Sequence, residues 1–234
     1  YMLQIKNLTL THKKDLREIL SDFSCVFNNG DKAVIIGEEG NGKSTLLKWL
    51  YDPFMVEEYC EAEGERLISG EVLGYLAQEL PKEDQQKSVY EFFSEQESFW
   101  NQTPKELNQT AAKFNIAPDF FYGEQQMSTL SGGEKVKAQL MRILFAEPTV
   151  LLLDEPSNDI DIETLETLEE LILSWDKIVI YISHDETLIE RTANKIIHIE
   201  QIRRKTKSRF CIANTSYTES VSYTHLTLPT NREV

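Results

Sequence analysis

The stretch GEEGNGKST, residues 37–45, decides the fold. It follows the compact apolar run KAVII and leads into LLKWLY, whose leucines fall on one side of a helix. A glycine-rich turn between a strand and a helix binds phosphate, because its backbone N–H groups and the helix dipole point at the same spot. The pattern predicts a phosphate-binding loop made of Gly37, Glu38, Glu39, Gly40, Asn41, Gly42, Lys43, Ser44 and Thr45.

The residue types in this loop suit a nucleoside triphosphate with Mg²⁺. Gly40 and Gly42 let the backbone curl around phosphates with its N–H groups pointing inward. We expect Lys43 to reach the β- and γ-phosphates and the Ser44 hydroxyl to bind Mg²⁺. Thr45 would add a hydroxyl near the α-phosphate.

The segment VLLLDEP, residues 150–156, places two carboxylates after an apolar run that is typical of a strand buried on both faces. Parallel sheets present their ligand sites at such strand ends, so Asp154 is a candidate to hold Mg²⁺ through water. The Glu155 side chain should point the other way, where it could orient and polarise an attacking water. A simple strand-end turn is the alternative reading of this pair.

Two further polar residues follow predicted strands. His184 ends YISH and could form a hydrogen bond to the γ-phosphate or to the lytic water, although a lone histidine is usually structural. Gln78 ends GYLAQ, and its amide could contact both Mg²⁺ and water without adding charge. By itself Gln78 would be unremarkable.

A second glycine-rich turn opens another helix in STLSGGEKVKAQL, residues 128–140. Its Ser131, Gly132, Gly133 and Glu134 form a second candidate anion site at a helix N-terminus. One small domain then carries two such sites, and the residues alone do not say why.

Strands that alternate with helices predict an α/β domain with a mostly parallel sheet over residues 2–205. Within it, residues 2–36 indicate short strands joined by turns, and we expect an antiparallel β part at the N-terminus. Residues 52–70 are acidic and irregular, and residues 79–146 indicate a small helical subdomain. After it, residues 206–220 would begin a linker, and residues 221–234 would be a non-native or disordered tail.

Composition narrows the class of protein. The net charge of −15 argues against broad non-specific binding to nucleic acid or anionic lipid, although IRRKTKSR, residues 202–209, leaves a local basic contact open. The three cysteines fit neither a disulfide framework nor a zinc spacing, which favours a reducing cytoplasm. No apolar run is long enough to span a membrane, and no signal peptide is evident.

The five motifs, in this order, resemble the ATPase domain of the ATP-binding cassette (ABC) superfamily, which has the P-loop NTPase fold. GEEGNGKST is similar to its Walker A, Gln78 to its Q-loop residue, LSGGE to its signature, VLLLDEP to its Walker B and His184 to its switch histidine. The resemblance implies ATP hydrolysis, with Glu155 as the catalytic carboxylate, and a head-to-tail partner cassette. Ser131 to Gly133 would then bind the ATP held by the partner, and a lone cassette would be a weak ATPase.

DEPSNDID resembles the corresponding loop of the ABC-F branch, which is typically similar to TNHLD. That branch carries two cassettes in one chain and acts on the ribosome, in translation or in antibiotic resistance. This chain would be the N-terminal cassette of a truncated chain; a homodimer is the other way to supply a partner. The ATPase subunit of an ABC membrane transporter remains the alternative. The family stacks adenine on an aromatic ring, and His12 is a weak candidate for that role.

Overall fold

The computed structural model describes residues 2–40, 42–201 and 208–214. The strands, in chain order, are β1 (Leu3–His12), β2 (Glu18–Phe27), β3 (Lys32–Ile36), β4 (Cys60–Leu67), β5 (Leu73–Leu76), β6 (Val150–Asp154), β7 (Ile178–Ile182), β8 (Lys195–Gln201) and β9 (Ser208–Ala213). The helices are α1 (Lys43–Tyr51), α2 (Lys82–Gln85), α3 (Val89–Ser94), α4 (Glu97–Trp100), α5 (Pro104–Lys113), α6 (Gly132–Phe145), α7 (Ile162–Ser174) and α8 (Glu186–Thr192).

A six-stranded sheet in the order β5-β6-β7-β3-β8-β9 forms the centre of the domain. Its first five strands pair in parallel, and β9 joins β8 antiparallel. Every residue of β6 and β7 is buried, as their continuous apolar sequences require when helices cover both faces. The predicted α/β fold with a mostly parallel sheet is confirmed.

A second sheet, in the order β2-β1-β4, is antiparallel and contains the predicted N-terminal β part. Its third strand, β4, lies in the acidic segment that we expected to be irregular, so that expectation was wrong. Residues from Gln4↔Leu67 to His12↔Cys60 pair β4 with β1. Most β4 side chains are exposed, so backbone pairing holds the strand and no apolar alternation marks it in the sequence.

All of the described helices between β5 and β6 belong to the segment for which we predicted a helical subdomain. Helices α2 to α6 lie here, together with short 3-10 turns at Pro118–Tyr122 and Met127–Thr129. Buried aromatic rings pack at their centre, with Phe93 in contact with Phe92, Phe99 and Phe121. These aromatic side chains join the helices to the core on one face of the central sheet.

Strand β9 extends the central sheet past residue 205, where we expected the cassette to end. It pairs with β8 from Ile196↔Ala213 to Gln201↔Ser208, and the Phe210 ring packs edge-on against Phe23 at 4.8 Å. The predicted start of the linker thus overlaps a strand of the sheet. The rest of the predicted linker, apart from Asn214, and the predicted tail lie outside the described residues. Among the described residues, no helix is both long and apolar enough to cross a bilayer.

Candidate functional site

Four neighbouring parallel strands bring the predicted site residues to one edge of the central sheet. Strand register places Leu76 beside Leu153, Asp154 beside Ile182, and Ile182 beside Ile35. The segments that follow these strands contain Gln78, the Asp154–Glu155 pair, His184 and the 37–45 loop. The carboxyl edge of a parallel sheet is where such folds bind ligands.

Close packing explains two glycines of the loop. A Cβ on Gly37 would lie 2.2 Å from the Ile199 carbonyl oxygen, and one on Gly42 would lie 1.7 Å from Cγ2 of Ile19. Both glycines also have positive φ, 151° and 76°. The loop therefore needs glycine for its backbone shape as well as for ligand access. Asn41, one of the predicted loop residues, lies outside the described residues.

The Lys43 ammonium lies inside this loop. Its Nζ donates hydrogen bonds to the carbonyl oxygens of Gly37 and Glu38, each at 2.7 Å. Burial lowers the pKa of Lys43, while the carboxylates of Glu155, Glu39, Asp154 and Glu38 act in the opposite direction. A buried cation held at the centre of a glycine loop is suited to bind an anion.

Asp154 and Ser44 form the pair predicted to hold Mg²⁺. Asp154 is 1% exposed, and its Oδ1 has no hydrogen-bond partner. Burial raises the pKa of Asp154, and a hydrogen bond from the Ser44 side chain lowers it by less. Within the described part of the chain no three His, Cys, Asp or Glu side chains cluster as metal ligands. The donor set fits Mg²⁺, which typically binds one or two protein oxygens and completes its shell with phosphate and water.

Glu155 and His184 form a second polar pair at the same edge. Nε2 of His184 lies 3.0 Å from Oε1 of Glu155, while Oε2 of Glu155 is buried without a partner. Glu155 has a φ of 48°, an uncommon conformation for a non-glycine residue. Burial raises its pKa, and the neighbouring His184 lowers it by less. Asp154 and Glu155 therefore contact different partners, and the two roles predicted for them stay predictions.

The second glycine-rich turn has a different construction. Ser131 caps α6: its hydroxyl accepts from the Glu134 amide at 3.2 Å, and the Glu134 carboxylate accepts from the Ser131 amide at 3.1 Å. A Cβ on Gly132 would lie 2.0 Å from the backbone oxygen of Asp159, and one on Gly133 would lie 2.5 Å from Oγ1 of Thr164. Only glycine fits at these two positions, because the SNDID loop (residues 157–161) and the start of α7 leave no room for a Cβ atom.

This contact was not predicted from the sequence, where SNDID indicated only a family branch. In the structure the SNDID loop and the start of α7 pack against Gly132 and Gly133. A local signal does exist: Asp161 caps α7 by accepting from the Thr164 amide at 2.8 Å, an arrangement typical of an aspartate before an amphipathic helix. No local sequence pattern indicates that the SNDID loop packs against Gly132 and Gly133.

Gln78 and His12 stay predictions. Gln78 is exposed just past β5, at the correct edge of the sheet. The His12 ring lies 6.3 Å from that of Tyr59, and its Nδ1 lies 3.3 Å from the Asp15 carboxylate. Tyr59 thus supplies an aromatic ring near His12 from a part of the sequence that we had not considered for base recognition.

The chain is similar in sequence to known proteins over most of its length. A profile of the family described as "ABC transporter" matches residues 20–158. ATP-binding protein Uup of Escherichia coli (strain K12) is 33% identical over 187 residues, which cover 76% of this chain and 28% of that protein. The energy-dependent translational throttle protein EttA of Haemophilus influenzae is 32% identical over 201 residues, which cover 84% of this chain and 34% of that protein. The chain spans about a third of the length of the curated relatives it matches.

A solved structure has the same fold. It is a chain in the complex of archaeal ribosomal stalk protein aP1 with archaeal ribosome recycling factor aABCE1. The TM-score is 0.72 at 21% sequence identity, and the match covers 97% of this chain and 42% of that chain. At this identity the likeness supports the fold alone.

Proposed function

The chain belongs to the ABC transporter family of ATP-binding proteins, and we propose that it is the ATP-hydrolysing cassette of an ABC-F-type protein. The observation that carries the proposal is the gathering of Lys43, Ser44, Asp154 and the Glu155–His184 pair at one edge of the sheet. These groups supply a phosphate cradle, a metal-binding pair and a carboxylate beside a histidine.

Glu155 is the group best placed to activate water. Its buried carboxylate has a raised pKa and a free Oε2, so it can accept a hydrogen bond or a proton from a water at the γ-phosphate. His184 holds Oε1 at 3.0 Å and keeps the carboxylate oriented. Lys43 would bind the β- and γ-phosphates, while Ser44, Asp154 and Gln78 would hold Mg²⁺. When bound, that ion neutralises charge that develops on the phosphates.

Substitution of Glu155 by Gln tests this assignment, since the amide keeps the shape of the side chain but cannot accept a proton. We expect turnover to fall by about 10²–10⁴-fold, while ATP affinity changes less than about twofold because the phosphate loop is intact. Phosphate release and calorimetric ATP titration measure the two quantities. Glu186→Gln, at an exposed position in α8, is the control. Unchanged turnover in Glu155→Gln would remove it as the catalytic residue.

We propose further that Ser131, Gly132, Gly133 and Glu134 bind the ATP held by a second cassette, from the same protein or from a second copy. Ser131 is exposed, and the amides of Gly132 and Gly133 at the start of α6 have no acceptor one turn earlier in the helix. This helix end would attract a γ-phosphate by about 0.3–1 kcal/mol per charge, and by more when it is covered. Loss of that phosphate on hydrolysis would let the cassettes part.

The ribosome is the partner we propose for the whole protein, and the cytoplasm its location. The resemblance of DEPSNDID to the loop of the ABC-F branch, and the similarity to EttA, which is named as a translational throttle, support this assignment. Cosedimentation of the Glu155→Gln chain with purified ribosomes, in ATP or ADP, tests it. Pelleting with ribosomes in ATP only is expected. No pelleting, together with a membrane-protein gene beside the coding sequence, would favour the transporter alternative. A role in antibiotic resistance would show as protected translation when the drug is present.

A further inference from the structure

A groove of substantial volume lies far from the nucleotide edge. Its volume is about 1070 Å³, and it lies where the ends of α5, α6 and α7 meet. Its apolar lining comes from Phe114, Leu144, Pro148, Leu171, Leu173 and Trp175. Pro148 precedes the first residue of β6, whereas Asp154 is the last residue of that strand. The groove therefore opens at the opposite edge of the sheet and does not belong to the ATP site.

Hydrogen bonds fix the position of Trp175 in the wall of the groove. The Trp175 indole N–H donates to the Thr149 carbonyl at 3.2 Å, and the Trp175 carbonyl accepts from Nζ of Lys32 at 3.1 Å. These bonds hold the tryptophan at both ends, so it cannot swing over the opening. Leu173 is 53% exposed on the wall formed by α7, so the groove presents apolar surface to solvent.

The rim of the groove is acidic. Its lining contains three carboxylates, Glu147, Glu170 and Asp176, and one cation, Lys113, while the ammonium of Lys32 is bound to the Trp175 carbonyl. None of the three carboxylates has an ion-pair partner within the described ranges. Helix α7 also has no basic residue in its last turn, so the negative end of its dipole adds to the field. An apolar floor with an acidic rim selects a cationic amphipathic ligand.

We propose that this groove binds a lysine- or arginine-rich amphipathic helix of a partner protein. The apolar face of that helix would lie on Leu173 and Trp175, and its cations would pair with Glu147, Glu170 and Asp176. The acidic rim repels the phosphates of RNA and of nucleotides. A second copy of this chain is also disfavoured, because its net charge is −15. The inference does not depend on ATP hydrolysis.

The three tryptophans of the chain provide a direct test. We would label the full chain with ¹⁵N-tryptophan and titrate it, without nucleotide, with a Leu/Lys peptide helix of about 18 residues. The Trp175 indole signal should shift. The signal of Trp49, which is buried on α1, and that of Trp100 on α4 should stay in place. A matched Leu/Glu peptide should not shift any of them.

Charge reversal separates the groove from general attraction. Glu170→Lys should weaken binding of the Leu/Lys peptide at least about tenfold, and Leu173→Ser should weaken it severalfold. Glu63→Lys, on exposed strand β4, makes the same change in net charge and should have less than about a twofold effect. Melting curves confirm that each variant is folded.

Four results would overturn the proposal. They are no shift of Trp175 at millimolar peptide, equal binding of the Leu/Glu peptide, equal effects of Glu170→Lys and Glu63→Lys, and self-association that Leu173→Ser abolishes. The last would assign the groove to a second copy of the chain. A loss of ATP hydrolysis in Glu155→Gln leaves all four readouts unaffected, so the two proposals fail separately.

Discussion

The two glycine-rich turns that open α1 and α6 look alike in sequence, yet different forces shape them. The α1 turn has glycines at positive φ, no side-chain cap, and the Lys43 ammonium at its centre. The α6 turn has a complete capping box, and Asp159 and Thr164 occupy the space that Cβ atoms on its glycines would need. The first is fitted to an anion by its own backbone and cation. The second is a rigid helix end, held from behind by the SNDID loop.

The reason for a glycine in such a motif depends on its backbone conformation and on the atoms that an added Cβ would contact. In the first turn, Gly40 has φ of 78° with open space around its absent Cβ, so its conformation is the reason for glycine. In the second, Gly132 has no positive φ, and the approach of Asp159 is the reason. A change in the first turn should damage ligand binding, and a change in the second should damage packing.

The largest contrast is expected from Lys43→Ala. Lys43 would donate charge-assisted hydrogen bonds to the β- and γ-phosphates, at about 1.5 kcal/mol each. Loss of both should weaken ATP binding on the order of 100-fold. Calorimetric titration measures it, with Lys6→Ala, an exposed position on β1, as the control. A dissociation constant within about twofold of the parent chain would contradict the phosphate-loop assignment and remove the contrast.

A smaller effect, of the opposite kind, is expected from Gly132→Ala. The new methyl group would meet the Asp159 carbonyl, and overpacking of this kind costs about 1–3 kcal/mol. The melting temperature should fall by about 2–12 °C, since 1 kcal/mol corresponds to about 2–4 °C in a domain of this size. ATP affinity at high dilution should stay that of the parent chain.

Gly123→Ala is the matched control, because Gly123 has φ of −68° and its nearest neighbour would be 3.2 Å away. It should melt close to the parent chain. If Gly132→Ala melted no lower than Gly123→Ala, the SNDID loop would not be the support of the second turn.

The smallest effect is expected from Asp154→Asn, which tests the carboxylate that accepts a hydrogen bond from Ser44 of the first turn. Burial raises the folded-state pKa of Asp154 above its ordinary value of 3.8, so its ionised form destabilises the fold. Its favourable contribution is complete below 3.8 and is lost as pH rises through the raised value. The Asn variant should therefore melt about 1–3 °C higher at neutral pH. The gap should close as pH falls towards 3.8.

Thermal melts from neutral to acidic pH, with and without Mg²⁺, measure this difference. Added Mg²⁺ and ATP should stabilise the parent chain more than the Asn variant. A gap that widened at acidic pH would mean that the Asp154 charge is stabilising, and that our account of this carboxylate is wrong.

Local sequence patterns predicted the central sheet and most of its ligand edge. The apolar runs of β6 and β7 and the glycine loop after β3 depend on neighbours in sequence, which a pattern records directly. Strand β4 and the support of Gly132 depend on partners far along the chain. Side chains of β4 are mostly exposed, and the contact with Gly132 is made by a backbone oxygen, so neither leaves a compositional mark. Glu155 and His184 were each singled out because they follow buried strands, but their contact with each other was not predicted.

The central claim is that the first turn binds ATP in its own chain while the second binds ATP held by another cassette. ATP turnover per chain, followed as the chain is diluted, tests this claim most directly. We predict that turnover falls to almost nothing at high dilution, and that Ser131→Arg abolishes whatever turnover the concentrated chain shows. Constant, vigorous turnover at dilutions where only monomer sediments would contradict the claim, because a single chain would then complete its own site.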